Sequence, residues 1–143
     1  MIPGTSGIEF ESTTADSRVA EKLGISTGTL VNQLRRVRTA DGVPAIYCID
    51  MFSPRVGDLD VEKIKSSIFS YLEELKGIRI TYASTDIRPI VAGKELADKL
   101  EVTTASPLLL LDEVHFDKFD NPIFYSRLFF RSDYFVFHVV RSR

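Results

Sequence analysis

The sequence lacks most features that mark secreted, membrane-bound or metal-stabilised proteins. Cys48 is its one cysteine, so an internal disulfide is excluded, and no cysteine–histidine cluster has the spacing of a zinc site. No apolar run approaches the roughly 20 residues of a membrane helix, and the N-terminus lacks a signal-peptide pattern. We therefore expect a cytoplasmic protein that does not contact the membrane and uses neither a metal nor another cofactor.

The chain also lacks an excess of charge of either sign. Its 143 residues carry 18 Lys and Arg against 20 Asp and Glu, which gives a net charge of -2. Proteins that bind nucleic acid through its phosphates have a marked basic excess. We therefore expect that this chain does not bind DNA directly. Its length and its 44% hydrophobic content are typical of one folded domain.

Two stretches of the chain repeat the same order of residue types. Residues 19–27 read VAEKLGIST and residues 96–104 read LADKLEVTT, and each is followed by two alternating apolar segments joined by a turn, at residues 41–42 and 120–121. The first pattern predicts a short amphipathic helix and the second a β-hairpin. The sequence therefore predicts two helix-plus-hairpin units related by internal duplication. The expected fold class is α+β, an antiparallel sheet with helices on one face.

The rest of the chain predicts further elements. Residues 61–76 have the apolar spacing of one bent or two short helices, and residues 78–91 alternate like a long strand. Residues 134–141 are rich in β-branched and aromatic residues and predict a last strand. Residues 1–14 mix Gly, Ser, Thr and Pro without periodicity, which predicts a linker or boundary segment. The folded domain is then expected to span residues 15–143.

Several short segments follow one another in an order known from one family. They are RVRTADGVP at residues 36–44, SIFSYL at 67–72, IRI at 78–80, ASPLL at 105–109, NPIFYS at 121–126 and FRSD at 130–133. Each is weak alone, but together and in this order they resemble the UTRA domain, the effector-binding module of GntR-family transcription regulators of the HutC subfamily. The resemblance covers residues 15 to 141.

The resemblance implies a chorismate-lyase-like fold, a homodimer and a small-molecule effector. In the family the effector controls a separate N-terminal winged-helix domain. No recognition-helix pattern or basic patch precedes residue 15, so we expect that domain to be absent from this chain and DNA to be bound only through it.

The resemblance also implies an anion site. In UTRA domains that bind phosphorylated sugars, arginines of the opening strand and a serine at the central helix start hold the phosphate. Arg36, Arg38 and Ser67 occupy the matching positions. Two arginines two residues apart on a strand point the same way, and a helix N-terminus offers unpaired N–H groups. We expect alanine at either arginine to abolish effector binding and to leave folding intact. The alternative is that the arginines form salt bridges and that Ser67 only caps a helix.

Further ligand contacts are expected in the other matched segments, at Cys48, Phe69, Glu113, His115, Phe124 and Ser126. Many UTRA domains have an acidic residue where Cys48 stands and a glutamate where Phe124 stands. Because Cys and Phe accept few hydrogen bonds from sugar hydroxyls, we predict an anion less hydroxylated than a sugar phosphate, such as an acidic metabolite with an apolar part. Both residues are equally compatible with an ordinary core.

Glu113 and His115 are the counterparts of the two arginines in the second unit, so we expect them to meet the other end of the ligand. A Glu–His pair also fits general acid–base catalysis or a plain exposed sheet face. Two other functions therefore stay open, a chorismate-lyase-like enzyme acting on a small carboxylate and a ligand-free dimerisation module. Since no nucleophile–base set, phosphate loop or metal cluster is visible, we predict an effector-sensing domain that is not an enzyme.

Overall fold

The computed structural model describes residues 2–64 and 67–142. Within these residues the strands are β1 (Pro3–Thr14), β2 (Leu30–Ala40), β3 (Val43–Phe52), β4 (Tyr82–Val91), β5 (Pro107–Phe116) and β6 (Pro122–Arg131). The α-helices are α1 (Ser17–Leu23), α2 (Ile68–Lys76) and α3 (Gly93–Leu100), and short 3-10 helices cover Pro54–Val56 and Val61–Lys63. The strands form one antiparallel sheet in the order β1-β2-β3-β6-β5-β4. The predicted antiparallel sheet of an α+β fold is confirmed.

The β2–β3 hairpin forms where the sequence predicts it. Asp41 and Gly42 both have positive φ, 51° and 78°. Tight hairpin turns need this left-handed backbone at both central positions, and Asp-Gly adopts it with little strain. The turn therefore sets the register in which Arg36 lies opposite Cys48.

The helices are divided between the two faces of the sheet, whereas a single face was expected. Because side chains alternate along a strand, Tyr47 and Met51 of β3 pack with α3 and α1, while Phe52 packs with α2. The reason lies in α2 itself, whose residues Ile68 and Leu72 form a separate apolar stripe. That stripe covers the sheet face that α1 and α3 leave open.

The prediction that residues 1–14 form a linker is wrong. Pro3–Thr14 form the edge strand β1, which pairs along the length of β2. Nearly all of its side chains are exposed. A strand without a buried face needs no apolar alternation, because its backbone hydrogen bonds to the neighbouring strand hold it in place. The sheet therefore begins at residue 3, and not at the expected boundary at residue 15.

The prediction of a last strand over residues 134–141 is also wrong, since the described residues after Arg131 contain no strand. Both sides of β6 are already occupied, by β3 and β5. The aromatic residues of this segment serve packing instead. Phe135 and Phe137 approach Phe130 edge-on, with ring centroids 5.0 and 5.2 Å away.

The two halves of the chain follow the same order of elements, β1-α1-β2-β3 and β4-α3-β5-β6. The expected helix-plus-hairpin units are present, and each gains a preceding strand. Their origin by duplication stays a prediction. None of the described helices is long and apolar enough to cross a membrane.

Candidate ligand-binding site

A cavity of about 210 Å³ lies between the start of α2 and the sheet face that α2 covers. It brings together all the residues that the sequence singled out as ligand contacts: Arg36, Arg38, Cys48, Ser67, Phe69, Glu113, His115, Phe124 and Ser126. Strand alternation explains this, because the members of each strand are spaced by two residues and so share a face. Their contact with a ligand stays a prediction.

Arg36 is a buried cation at the floor of the cavity. Its side chain is 8% exposed, and its Nη2 lies 3.3 Å from Oδ2 of Asp50. Its Nε has no hydrogen-bond partner among the described residues. The salt bridge that was the alternative interpretation therefore exists, but it is buried and leaves the Nε donor without a partner.

Arg38 differs from Arg36 in its surroundings. It is half-buried, lines the same cavity, and makes no ion pair with any residue that the structure describes. Its position two residues along β2 places it on the same face as Arg36. The cavity therefore contains one cation held by a carboxylate and a second cation that is available to an anion.

Asp50 is the main residue of this site that sequence reasoning missed. It is fully buried, and besides Arg36 it accepts a 2.5 Å hydrogen bond from Oγ of Ser126. Burial raises the pKa of Asp50, and Arg36 and Ser126 oppose that rise. The available signal was a lone acidic residue in the apolar run AIYCIDMF, on the same strand face as Cys48.

The carboxylate of Asp50 adds a hydrogen-bond acceptor to the cavity that the ligand can use. A less hydroxylated anion was expected because Cys48 and Phe124 stand where acidic residues are common. The cavity nevertheless has two carboxylates, Asp50 and Glu113, so acceptors for ligand donors are present. Cys48 itself contributes a neutral thiol, since burial, with Asp50 nearby, raises its pKa to about 12.

His115 and Glu113 form the wall of the cavity on β5. Nε2 of His115 lies 3.4 Å from Oε2 of Glu113 and 3.5 Å from Oγ of Ser126. The His115 ring stacks on Phe124 at 4.0 Å between centroids and meets the edge of Phe69 at 5.4 Å. His115 is 5% exposed, so the interpretation of these positions as an exposed sheet face is wrong.

These contacts join into one polar network across the sheet. The network runs from Arg36 to Asp50 and from there through Ser126 and His115 to Glu113. Glu113 also accepts a 3.1 Å hydrogen bond from the Thr85 hydroxyl. The network therefore crosses β2, β3, β6, β5 and β4. It fixes the polar groups of the cavity floor before any ligand arrives, which lowers the cost of ordering on binding.

Ser67 caps α2, as the alternative interpretation proposed. Its Oγ accepts a 3.2 Å hydrogen bond from the N–H of Ser70. A hydroxyl also carries one donor, which this cap does not use. Ser67 lines the cavity, so capping and ligand contact are compatible. The two residues before Ser67 lie outside the described part of the chain.

The arrangement of Ser126, His115 and Glu113 does not suit nucleophilic catalysis. A relay needs the two ring nitrogens of the histidine to face different partners. Here Nε2 faces both Ser126 and Glu113, while Nδ1 has no partner among the described residues. Ser126 moreover donates to Asp50. Within the described residues, no group of three or more His, Cys, Asp or Glu side chains could hold a metal ion.

Glu113→Gln is expected to make the domain less sensitive to acid. The hydrogen bond from His115 lowers the pKa of Glu113 below its ordinary value of 4.5. Its ionised form therefore stabilises the fold above pH 4.5, and this contribution is lost as the pH falls through the lowered pKa. Because the carboxyl is only half-buried, we expect the contribution at pH 7 to stay below about 1 kcal/mol.

Urea denaturation at pH 7 and again below pH 4 measures this effect. The wild type should lose more stability on acidification than Glu113→Gln, and the exposed residue Glu73 provides the control substitution Glu73→Gln. Equal losses in the wild type and in Glu113→Gln would show that the His115 contact does not stabilise the fold.

Comparison with known proteins gives both a family and a set of similar structures. The family model of the UTRA domain matches residues 1–136. The chain is 25% identical over 138 residues to the HTH-type transcriptional repressor NagR of Bacillus subtilis, and the match covers 96% of this chain and 57% of NagR. The chain thus spans less than two thirds of that relative.

Solved structures share the fold over nearly the whole chain. The ligand-binding domain of a GntR-family transcriptional regulator from Bordetella bronchiseptica has a TM-score of 0.90 at 20% identity, with 99% of this chain and 90% of that chain covered. PhnF from Mycobacterium smegmatis has a TM-score of 0.88 at 26% identity, with 98% of this chain and 63% of PhnF covered. The sheet and helices described above are therefore those of regulator ligand-binding domains.

Proposed function

Because this chain belongs to the UTRA domain family, we propose that it is the effector-binding domain of a GntR-family transcription regulator and that it binds a small anionic metabolite. The anion occupies the cavity at the start of α2, held by Arg36, Arg38 and Ser67. The observation that carries this proposal is the buried Arg36, which has an unused Nε donor and a second cation beside it.

Electrostatics favour an anion at this end of the cavity. A buried guanidinium is costly unless its donors are satisfied, and Asp50 satisfies Arg36 only in part. Arg38 adds a positive charge without a carboxylate partner among the described residues. Charge-assisted hydrogen bonds from two guanidinium groups hold a carboxylate or phosphate well. The ligand anion therefore accepts hydrogen bonds from the guanidinium donors that have no partner in the protein.

The other end of the cavity limits the rest of the ligand. Asp50 and Glu113 offer acceptors, and Phe69 and Phe124 offer apolar surface. The metabolite therefore carries an anionic group, at least one hydrogen-bond donor and an apolar part, in a size that fits about 210 Å³. Phe69 lies at the start of α2 and is 49% exposed. A bound ligand packs against this exposed ring.

Control of transcription follows from the family and not from this chain alone. NagR, to which the chain is similar over 57% of that protein, is an HTH-type transcriptional repressor. We propose that a separate winged-helix domain binds DNA, that effector binding alters its affinity, and that the regulator acts as a homodimer in the cytoplasm. A two-fold dimer matches the symmetry of paired operator half-sites.

The other two functions are less well supported. A chorismate-lyase-like enzyme needs a group placed to move protons on a bound substrate. His115, the one histidine among the described residues that line the cavity, faces Ser126 and Glu113 through a single nitrogen. A ligand-free dimerisation module gives no reason for a cavity with buried charges, which cost stability when it is empty.

A melting-temperature screen of anionic metabolites tests the proposal. A ligand that binds only the folded state raises the melting temperature, and the rise increases with the ratio of its concentration to its dissociation constant. We expect at least one phosphorylated or carboxylated metabolite to do so, while neutral analogues of the same compounds do not. If chorismate were instead turned over, the enzymatic alternative would replace the sensor. If no anion had an effect, the dimerisation module would be favoured.

A further inference from the structure

A second cavity lies on the opposite face of the sheet, between α1 and α3. It has a volume of about 260 Å³ and is lined by residues of α1, by Glu95 of α3 and by residues of β2, β3 and β6. An adjoining hollow reaches Asp112 of β5 and shares Arg18 and Arg127 with it. The two hollows adjoin at Arg18 and Arg127, and we call them together the α1–α3 cleft.

One cross-strand row forms the floor of the cleft. Arg35, Ile49, Arg127 and Asp112 are successive register partners on β2, β3, β6 and β5. Arg35 is paired with Glu11. Arg127 and Asp112 make no ion pair with each other or with any other residue that the structure describes. The floor thus holds a cation and an anion side by side, neither of them neutralised by direct contact.

Four buried polar atoms of this region lack a hydrogen-bond partner among the described residues: the hydroxyls of Tyr47 and Tyr125, Nε of Arg127 and Oδ1 of Asp112. Tyr47 is 2% exposed and Tyr125 is fully buried. Burial, together with the Asp112 carboxylate that its hydroxyl faces, raises the pKa of Tyr125. The Tyr47 hydroxyl likewise faces the Arg35 guanidinium, and neither contact has hydrogen-bonding geometry. Each unmet buried group costs about 1–3 kcal/mol, and native proteins seldom keep several together.

The chemistry of these atoms defines what would satisfy them. The two hydroxyls and the Arg127 Nε are donors, and they match a carboxylate. The Asp112 Oδ1 is an acceptor, and it matches a hydroxyl or an ammonium group. An anion without a donor leaves Asp112 unmet, whereas a simple cation leaves three donors unmet. The remaining floor consists of the apolar residues Ile49 and Met51 and the polar residue Gln33.

The other acidic residues of the cleft do not fill this role. The Asp16 carboxylate accepts the N–H of Val19 as the cap of α1, and Glu21 and Glu95 are exposed. None of the three supplies a partner to the buried donors in the structure. The unmet groups are therefore available to a molecule that enters from outside.

We propose that the α1–α3 cleft is a second small-molecule site, which binds a small hydroxy or amino carboxylic acid. The carboxylate of the ligand accepts hydrogen bonds from Tyr47, Tyr125 and Arg127, and its hydroxyl or amino group donates to Asp112. The site lies on the face of β3 and β6 opposite the cavity at α2, because Ile49 and Asp50 are successive residues of one strand. It is independent of the anion site proposed above.

Three acids of nearly the same shape test this proposal in the intact chain. Lactate and alanine carry a hydroxyl and an ammonium group beside the carboxylate, and propionate carries neither. We expect lactate or alanine to shift the side-chain Nε resonance of Arg127 in a saturable titration followed by NMR. Propionate should bind at least about tenfold more weakly, because it lacks one hydrogen bond to a charged group.

Conservative variants distinguish a ligand site from a merely hydrated one. Tyr47→Phe combined with Tyr125→Phe removes two unmet hydroxyls and keeps both rings, so the variant should be at least as stable as the wild type and bind the acid at least about tenfold more weakly. Tyr71→Phe is the control, since the Tyr71 hydroxyl already accepts a 2.9 Å hydrogen bond from the N–H of Asp60. It should lose some stability and keep its affinity for the acid.

The proposal fails if none of the three acids shifts the Arg127 resonance, because the polar atoms would then be satisfied by water alone. It fails equally if propionate binds as tightly as the other two, or if the double tyrosine variant keeps full affinity. Arg38→Gln in the other cavity should leave this titration unchanged, so the outcome does not depend on the anion site.

Discussion

Replacing Arg36 by alanine is expected to lower the free energy of unfolding by about 3–5 kcal/mol, a large part of the stability of a typical domain. The change leaves the Asp50 carboxylate fully buried with only the Ser126 hydroxyl as a partner. A buried charge without its counter-ion is among the few defects that cost this much. Urea denaturation near neutral pH measures the loss.

The neighbouring residue provides a matched control for this prediction. Arg35 lies on the same strand but on the opposite face, where it pairs with the exposed Glu11. Surface pairs of this kind contribute less than about 1 kcal/mol, so Arg35→Ala should have a small effect. Arg36→Met combined with Asp50→Leu should recover most of the loss, because it removes both charges together. Equal effects of Arg36→Ala and Arg35→Ala would contradict the buried pair.

Replacing Arg38 by glutamine is expected to weaken effector binding by about 10–150-fold, which corresponds to one charge-assisted hydrogen bond of about 1.5–3 kcal/mol. Stability should hardly change, because Arg38 is half-buried and makes no ion pair with a described residue. Isothermal titration with the anion that gives the largest rise in melting temperature measures the affinity. Arg79→Gln, at an exposed position outside the cavity, is the control, and an Arg38→Gln affinity equal to that of this control would remove Arg38 from the site.

Arg36 and Arg38 therefore have different roles, although the sequence pattern does not distinguish them. Both were expected to tolerate alanine, since two residues of one type on one strand face look equivalent. Only the register of β2 with β3 reveals the difference. It brings the Asp50 carboxylate within reach of Arg36, while Arg38 lies opposite Ile46. The partner of a charge is set by strands distant in sequence, which local patterns do not specify.

The parts of the fold that depend on local chemistry could be predicted. The turn at Asp41 and Gly42 needs two positive φ angles, and the α1 cap at Asp16 needs a short side-chain acceptor, so both leave a clear signal. Strand β1 gives no such signal in the sequence, because its stability comes from backbone pairing with β2. The segment after Arg131 gives a strand signal but forms no strand in the described residues. Aromatic packing on Phe130 and strand formation favour the same residue types.

The candidate site shows the same division. The resemblance to a known family placed its residues on matching positions, and the structure collects them in one cavity. Asp50 could not be predicted as a site residue, because its burial arises only where β2, β3 and β6 meet. The α1–α3 cleft escaped for the same reason, as its floor takes one residue from each of four strands. Sites assembled across a sheet become visible only with the register.

The central claim is that the cavity at the start of α2 binds an anionic effector. A crystal structure of the domain with the anion selected by the melting-temperature screen tests it most directly. We expect the anionic group of the ligand within hydrogen-bonding distance of the guanidinium groups of Arg36 and Arg38 and of the Ser67 hydroxyl. A ligand bound elsewhere, with this cavity empty and the Arg36–Asp50 pair unchanged, would contradict the claim.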